Sequence, residues 1–229
     1  MVKIKIIFLA TMFLMLGLFS SYDVKAVTDE DLIEGIEAYW SFDNDSTIAT
    51  AVIDSTPNGN DGSIHGATCG VEGQINESCD FDGSNDYINT LISDLGDEFS
   101  VSLWVNADSW TDYPIGNNDQ KDNGEFYIRT LSGLIQFNMQ GNIQYSVNSE
   151  TGYTAGNWYH IVLTFDGTTM RGYEGGVEII TPTTISGWSG TDDTPIQISR
   201  NLRDCSFWNG RIDEPAIWNR ALTSDEVLE

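Results

Sequence analysis

The chain has few basic residues, and this shortage narrows the range of partners. Its 229 residues contain 10 Lys and Arg against 35 Asp and Glu, which gives a formal net charge of -25 at pH 7. Such a charge repels phosphate backbones and anionic lipid headgroups, so nucleic acids and anionic membrane surfaces are poor partners. Apolar residues still make up 40% of the chain, and aromatic residues 11%. This composition supports a folded core rather than a disordered acidic tail.

Cysteine and histidine are also scarce. Three cysteines alone do not make a zinc site, and their spacing supports none. Two histidines are too few for a histidine-rich metal centre. Cys69 and Cys79 flank a glycine-containing segment that could fold back as a hairpin, so a disulfide between them is plausible in an oxidising compartment. Cys205 is then left over, either buried or available for an intermolecular bond.

No apolar run reaches the length of a membrane span. Residues 1–5 are basic, residues 6–19 form an apolar run of about 14 residues, and a span needs about 20. The VKA sequence at 24–26 then provides a cleavage site for signal peptidase. This predicts a secretory signal peptide at 1–26, a short lead at 27–34 and one domain at 35–229, in a protein that is secreted or on the cell surface. A single N-terminal membrane anchor is the alternative.

Helix signals are nearly absent, whereas strand signals are frequent. The one helix signal is a capping box at Thr223 and Glu226, which predicts a short C-terminal helix. Alternating or β-rich segments separated by Gly, Asn and Asp turns predict strands at 37–43, 78–83, 87–88, 99–105, 125–131, 134–139, 158–165, 170–174, 177–180, 196–200 and 208–218. The fold class is therefore all-β. A two-sheet antiparallel jelly-roll sandwich is the first choice, and an up-and-down barrel is the second.

The loop DSTPNGNDG at 54–62 has two interpretations on residue types alone. Its acids, amides, proline and glycines favour a turning backbone, which fits a solvated hairpin loop. The same carboxylates and carbonyls are the ligands that calcium takes in proteins.

Seven motifs in a fixed order carry a resemblance to a known family. They are YWSFD (39–43), the loop at 54–62, FDGSNDYI (81–88), FSVSLWV (99–105), GNWYHIV (156–162), GRIDEPAIW (210–218) and NRALT (219–223). This order resembles the laminin G-like jelly-roll domains of the concanavalin A-like lectin/glucanase superfamily. The resemblance extends over residues 35–229 and implies two curved antiparallel sheets.

The resemblance also implies a structural calcium ion (Ca2+). Asp54 and Asp213 would be its carboxylate ligands, Asn58 and Asn60 would supply loop oxygens, and the carbonyl of His65 would lie nearby. An alternative for Asp213 is a surface acid on an edge strand. Such a calcium ion would pin loops rather than activate water.

Catalysis is not expected, although some relatives in that superfamily are glucanases. Retaining glycosidases need two carboxylates about 5–5.5 Å apart. Asp80 and Asp82 have the spacing of one strand face but belong to a turn motif. Asp213 and Glu214 are adjacent, so strand alternation would send them to opposite faces. A glycoside hydrolase therefore remains only an alternative.

Aromatic residues in polar loops are the candidates for ligand contact. Trp110, Tyr113, Tyr145 and Trp188 lie in Gly-, Asp- and Asn-rich segments, where rings can stack on sugars while amides read the hydroxyls. Trp104, on a strand, is instead expected to fill the core. The predicted function is a secreted non-catalytic binding module that takes carbohydrate. A cell-surface protein–protein adhesion module of a larger protein is the alternative.

Overall fold

The structure, a computed structural model, describes residues 29–43, 50–109, 112–119, 124–190, 194–203 and 205–228. The predicted signal peptide at 1–26 and the candidate ligand residue Trp110 lie outside these residues. Within them, no helix has the length and apolar character needed to cross a membrane.

The described residues form many short strands and two short helices. In chain order these are α1 (Asp29–Ile33), β1 (Ile36–Tyr39), β2 (Ala51–Val52), β3 (Gly62–His65), β4 (Thr68–Glu72), β5 (Glu77–Asp82), β6 (Tyr87–Asn89), β7 (Phe99–Ala107), β8 (Ile115–Gly116), β9 (Phe126–Leu131), β10 (Leu134–Gln140), β11 (Gln144–Asn148), β12 (Trp158–Phe165), β13 (Thr169–Glu174), β14 (Val177–Glu178), β15 (Thr183–Thr184), β16 (Gln197–Ile198), β17 (Asn209–Trp218) and α2 (Ser224–Val227).

These strands make two antiparallel sheets. Sheet A has nine strands, in the order β14-β13-β12-β7-β17-β5-β4, with β1 paired to β17 and β15 paired to β13. Sheet B has eight strands, in the order β11-β10-β9-β8-β16-β6-β3-β2. The predicted all-β, two-sheet antiparallel fold with a short C-terminal helix is confirmed. Within the described residues, α1 is the only other helix, and it lies in the segment predicted as a lead.

Strand alternation builds the core between the sheets. Phe99, Val101, Leu103 and Val105 of β7 are buried in one apolar cluster, because alternate side chains of a strand share a face. The same cluster contains the large buried rings Trp40, Phe42, Phe81, Phe126, Phe137, Phe165 and Trp208.

Trp104 was expected to fill the core, but it does not. It occupies an outward position of β7, next to core residues on both sides, and its ring stacks on that of His160 with centroids 5.0 Å apart. Both rings therefore lie on the outer face of sheet A rather than between the sheets.

The N- and C-terminal parts of the described chain meet on that outer face. The Trp218 indole N–H donates to the Leu32 carbonyl at 2.7 Å. The Arg220 guanidinium donates to the carbonyls of Asp31 and Glu34 and forms an ion pair with Glu226. Thr223 and Glu226 form the predicted capping box of α2. These contacts join α1, β17 and α2 over a second apolar cluster.

The predicted disulfide is present. Cys69 on β4 and Cys79 on β5 are directly opposite each other in the strand pair, and they are bonded. Cys205 is a free, exposed thiol.

Candidate functional site

The outer face of sheet B is polar, because its central strands alternate strictly. In β10, Ile135, Phe137 and Met139 are buried in the core cluster. Gln136 and Asn138 alternate with them and therefore point away from the core. Both are nevertheless almost fully buried, with 6% and 0% of their surface exposed.

One row of facing residues crosses the middle of this face. Register pairs Asn138 with Tyr127, Tyr127 with Gly116, Gly116 with Gln197, and Gln197 with Asn89. Gly116 has no side chain, and a Cβ built there would lie 2.5 Å from the Cβ of Tyr127. The row therefore has a gap between the Tyr127 ring and the Gln197 amide.

A second row lies beside the first and is linked by hydrogen bonds. The Arg129 Nε donates to Gln136 Oε1 at 2.6 Å, and Gln136 Nε2 donates to Asn148 Oδ1 at 2.7 Å. Arg129 also donates to the Tyr113 hydroxyl at 3.4 Å, and the rings of Tyr113 and Tyr127 have centroids 5.5 Å apart. These bonds hold two tyrosine rings and a guanidinium in fixed positions.

Several buried amide oxygens at and near these rows lack a hydrogen-bond partner. They are Asn138 Oδ1 and Gln197 Oε1 in the first row, and Asn118 Oδ1 in the segment after β8. An unsatisfied buried acceptor costs about 1–3 kcal/mol, so such atoms are uncommon in native proteins.

An aromatic and cationic group continues the second row toward β3. The rings of His65 and Tyr87 are stacked, with centroids 4.3 Å apart and an angle of 8° between planes. The guanidinium carbon of Arg200 lies 4.6 Å from the Tyr87 centroid and 5.9 Å from that of Phe207. Arg200 Nε is buried without a hydrogen-bond partner.

The predicted ligand residues are divided between this face and the core. Tyr113 belongs to the face. Tyr145 packs against the core cluster, and its hydroxyl accepts from the Ser186 N–H at 3.3 Å. Trp188 packs on Phe99 and Phe165, and its Nε1 donates to the Gly96 carbonyl at 3.0 Å.

Sequence reasoning missed most residues of the face. The sequence-based candidates were aromatic residues in polar loops. They did not include the strand and strand-end residues Tyr127, Asn138, Gln197 and Arg200. The polar positions of LIQFNMQ at 134–140 and FYIRTL at 126–131 alternate with buried apolar residues. This alternation was the available signal.

The loop at 54–62 clamps β1 through its own side chains. Asp54 Oδ1 accepts from the backbone N–H groups of Tyr39 and Thr56, and Oδ2 accepts from the Thr56 hydroxyl and the Asn60 N–H. These four bonds use all of the roughly four acceptor positions of a carboxylate. Asn58 and Asn60 donate their amides to the Glu37 carbonyl. The Asp54 carboxylate therefore organises the loop and ties it to β1.

The other predicted calcium ligands lie apart from that clamp. His65 is on β3, stacked on Tyr87. Asp213 is on β17, fully buried, and its Oδ2 accepts from the Ile75 N–H at 2.9 Å. Its Oδ1 is buried without a hydrogen-bond partner. In the described part of the chain, no group of three or more His, Cys, Asp or Glu side chains could hold a metal ion.

A β-bulge beside Asp213 changes the alternation that the sequence suggested. The register between β17 and β7 shifts between Asp213 and Ala216, and Glu214 has a left-handed backbone with φ of 52°. Glu214 consequently faces the same outer cavity as Trp104, which is the cross-strand partner of Asp213. The expectation of opposite faces was wrong, because an inserted residue breaks the period of two.

That cavity, on the outer face of sheet A, has a volume of about 340 Å³. Its polar lining includes Glu226 and two hydrogen-bonded pairs: Tyr39 donates to Glu214 Oε2, and His160 Nε2 lies 2.7 Å from Ser102 Oγ. The rest of the lining is mainly apolar.

Burial shifts the pKa values of these groups. Burial raises the pKa of Glu214 to about 8, with the charges of Asp213 and Asp43 adding to the effect. It raises the pKa of Asp213 to about 7, although three backbone N–H groups act in the opposite direction. It lowers the pKa of His160 to about 4. His160 is therefore neutral at pH 7.

Comparison with known proteins places this geometry in a family. A laminin G family model, described as "Concanavalin A-like lectin/glucanases superfamily", matches residues 82–228. No curated protein matches the chain in sequence.

Solved structures share the fold at low identity. Domain 4 of AbnA, a GH43 extracellular arabinanase from Geobacillus stearothermophilus, solved with arabinotriose, is 23% identical with a TM-score of 0.67, over 84% of this chain and 96% of that domain. The binding domain of Paraclostridial Mosquitocidal Protein 1 is 16% identical with a TM-score of 0.70, over 85% of this chain. The botulinum neurotoxin serotype D ligand binding domain, solved with N-acetylneuraminic acid, is 17% identical with a TM-score of 0.66, over 85% of this chain. This chain covers 51% and 50% of the two toxin chains.

Proposed function

We propose that this chain, which belongs to the concanavalin A-like lectin/glucanases superfamily, is a non-catalytic carbohydrate-binding module that holds saccharides on the outer face of sheet B. The observation that carries the proposal is the outward-facing row in which Tyr127, Gln197 and Asn89 flank the gap at Gly116, with Tyr113 and Arg129 beside it. Side-chain amides and tyrosine hydroxyls can exchange hydrogen bonds with sugar hydroxyls, and the Tyr113 and Tyr127 rings offer apolar surface for a sugar face.

The neighbours in structure agree with this proposal without deciding it. Two of them were solved with a bound saccharide, arabinotriose in one and N-acetylneuraminic acid in the other. The fold alone does not determine what a domain binds, so the proposal depends on the side chains of this chain.

The non-catalytic part of the proposal is supported by the groups that build the face. Amides, tyrosines and arginines bind sugars, whereas glycoside hydrolysis requires two carboxylates flanking the scissile bond. Incubation with any glycan that binds should release no new reducing ends. Release of reducing ends that a site variant abolishes would overturn this part.

Binding is tested by a glycan microarray followed by titration calorimetry on each positive glycan. We expect Gln197→Ala and Tyr127→Ala each to weaken binding about tenfold, since one hydrogen bond or ring contact is worth about 1–1.5 kcal/mol. Gln74→Ala, in an exposed turn of sheet A, is the matched control and should bind as the unaltered chain does. Equal affinity of all three variants would refute the location of the site.

An extracellular location is part of the proposal. It is supported by the signal-peptide pattern at 1–26 and by the Cys69–Cys79 disulfide, since disulfides persist in oxidising compartments. N-terminal sequencing of protein recovered from the culture medium should begin at Val27. Retention of residues 1–26 would favour the N-terminal anchor.

A structural calcium ion beside Asp213 is proposed as well. The buried Oδ1 of Asp213 lacks a hydrogen-bond partner, and Asp43 is near enough for its charge to raise the pKa of Asp213. A cation would satisfy that oxygen and favour the ionised carboxylates. Asp54, Asn58 and Asn60 are not included, because their hydrogen bonds are directed at β1 and the loop backbone.

A further inference from the structure

We propose, resting on the proposed function, that the glycan bound on sheet B carries carboxylate groups, and that Arg200 and Arg129 pair with them. The guanidinium groups of these two arginines are the cationic hydrogen-bond donors of the face.

Arg200 has an unused donor in a confined position. Its guanidinium lies over the Tyr87 ring, and Nε is buried without a hydrogen-bond partner. A buried donor that belongs to a charged group loses more from lacking an acceptor than a neutral one does. Arg200 as a whole is only half-buried, so a ligand carboxylate could pair with its guanidinium and supply the opposite charge. Hydrogen bonds between guanidinium and carboxylate are among the strong ones in proteins.

The strand register puts Arg129 in the same row as Ser199, the residue before Arg200. The pairs Gly116–Tyr127 and Ile115–Ile128 leave Arg129 opposite Pro114, and the Ser199 N–H donates to the Pro114 carbonyl at 2.8 Å. Arg200 directly follows Ser199. Arg129 is on β9, and β8 lies between β9 and β16. The backbones at Arg129 and Ser199 are therefore two strand spacings apart, about 10 Å. One oligosaccharide can contact both guanidinium groups.

Sheet B carries positive charge although the chain is acidic. Three of the six arginines in the sequence, Arg129, Arg200 and Arg203, follow or belong to strands of sheet B. Burial raises the pKa of Tyr127, whereas the charges of Arg129 and Arg203 lower it. Positive potential therefore reaches the tyrosine beside the Gly116 gap.

The donors and acceptors together describe a ligand class. The amide side chains of the face can exchange hydrogen bonds with hydroxyls, and a planar carboxylate matches both the fork of arginine donors and their charge. Uronic acids and sialic acids combine hydroxyls and a carboxylate in one ring. Neutral saccharides can accept from arginine through their hydroxyl oxygens, but they supply no opposite charge.

The test uses matched pairs of oligosaccharides. Oligogalacturonides and sialylated oligosaccharides are each compared with the same compound after its carboxylates have been reduced to hydroxymethyl groups. Affinities are measured by calorimetry at two salt concentrations, and melting temperature checks folding. We expect at least one acidic member to bind more than tenfold tighter than its reduced partner, with the difference shrinking at high salt.

The variants locate the effect. Arg200→Gln should lose about tenfold in affinity for the acidic glycan and nothing for a neutral one, while Arg200→Lys should be intermediate because it keeps the charge without the planar fork. Arg171→Gln, on the outer face of sheet A, removes an exposed ion pair with Glu178 and should bind normally.

Each remaining outcome decides against the inference. Binding of reduced or neutral glycans alone, or of sulfated glycans alone, overturns the carboxylate specificity and leaves the binding function standing. Acidic binding that Arg200→Gln does not change overturns the assignment to Arg200. Absence of binding to every glycan, acidic or neutral, overturns the proposed function itself.

Discussion

The phenol of Tyr39 donates a hydrogen bond to Glu214, whose carboxylate a β-bulge turns into the cavity over sheet A. Tyr39 belongs to β1 and Glu214 to β17, so the bond joins two strands that lie 175 residues apart in sequence. Burial is the main cause that raises the pKa of both groups. The protonated form of Glu214 is thereby favoured in the folded chain.

The first prediction is a loss of stability as pH rises from about 6.5 to about 8. The pKa of Glu214 rises from 4.5 to about 8 on folding, and that of Asp213 from 3.8 to about 7. The folded state therefore binds more protons in this window, and its free energy of unfolding falls as pH rises. The lowered pKa of His160 acts in the opposite direction, but only between about 4 and 6.5.

Glu214→Gln tests this assignment. The amide keeps the shape and an acceptor for Tyr39 but cannot ionise, so its melting temperature should fall less between pH 6.5 and 8.5. The exposed Glu178→Gln is the control and should follow the unaltered chain. If Glu214→Gln and the unaltered chain give parallel curves, the carboxyl of Glu214 does not titrate in this window.

The second prediction concerns the clamp on β1. Asp54→Asn keeps the shape but has one acceptor oxygen instead of two, so at least two of the four hydrogen bonds to Asp54 are lost. We expect a cost of about 3 kcal/mol and a fall in melting temperature of roughly 10 °C. Asp94→Asn is the control, since the exposed Asp94 accepts one bond from Gly96. Equal melting temperatures for both variants would contradict the clamp.

Local patterns in the sequence predicted the fold class and most of the longer strands, but not β2, β4, β8, β11 and β15 and not these contacts. The alternation of residues 99–105 and the Thr223–Glu226 capping box depend on neighbours in sequence, and both were predicted correctly. The Cys69–Cys79 pair follows from one short hairpin. Each of these features is fixed within about a dozen residues, where period and turn chemistry apply.

The site depends on register between distant strands, which no local pattern determines. The row from Asn138 to Asn89 joins β10, β9, β8, β16 and β6, and its gap exists because Gly116 falls between Tyr127 and Gln197. The bulge at Glu214 inserts one residue and reverses the face assigned by alternation. Trp188 was predicted to contact ligand because no packing partner is close to it in sequence. Its packing partners, Phe99 and Phe165, are distant in sequence and are brought to it by the fold.

The third prediction is stabilisation by calcium through Asp213. Saturating calcium, at about a hundred times its dissociation constant, should stabilise the fold by about 2.7 kcal/mol and raise the melting temperature by roughly 5–10 °C. Asp213→Asn should remove this response. Asp54→Asn should keep it, because Asp54 makes its hydrogen bonds elsewhere. No shift at millimolar calcium, or a shift that survives in Asp213→Asn, would overturn the proposed site.

The fourth prediction is a moderate contribution from the disulfide. Cys69 and Cys79 are 10 residues apart, and closing so short a loop is worth about 3 kcal/mol in the chain-entropy model. The double variant Cys69→Ala with Cys79→Ala should therefore melt roughly 6–12 °C lower. Cys205→Ala, which removes an exposed free thiol, should leave the melting temperature unchanged. A double variant that melts like the unaltered chain would show that the bridge contributes nothing to stability.

The fifth prediction separates packing from ligand contact at Trp188. Its ring stacks on Phe99 with centroids 5.3 Å apart, and its Nε1 donates to the Gly96 carbonyl. Trp188→Ala should destabilise the fold by about 2–3 kcal/mol, at the low end for a large aromatic because the ring is only partly buried. Trp188→Phe should recover most of that loss, since a phenyl ring can keep the stacking. Glycan affinity should stay within about twofold in both variants, whereas Tyr127→Ala should lose about tenfold. The reverse pattern, with normal stability and lost affinity in Trp188→Ala, would move the binding surface from the outer face of sheet B to the edge where Trp188 lies.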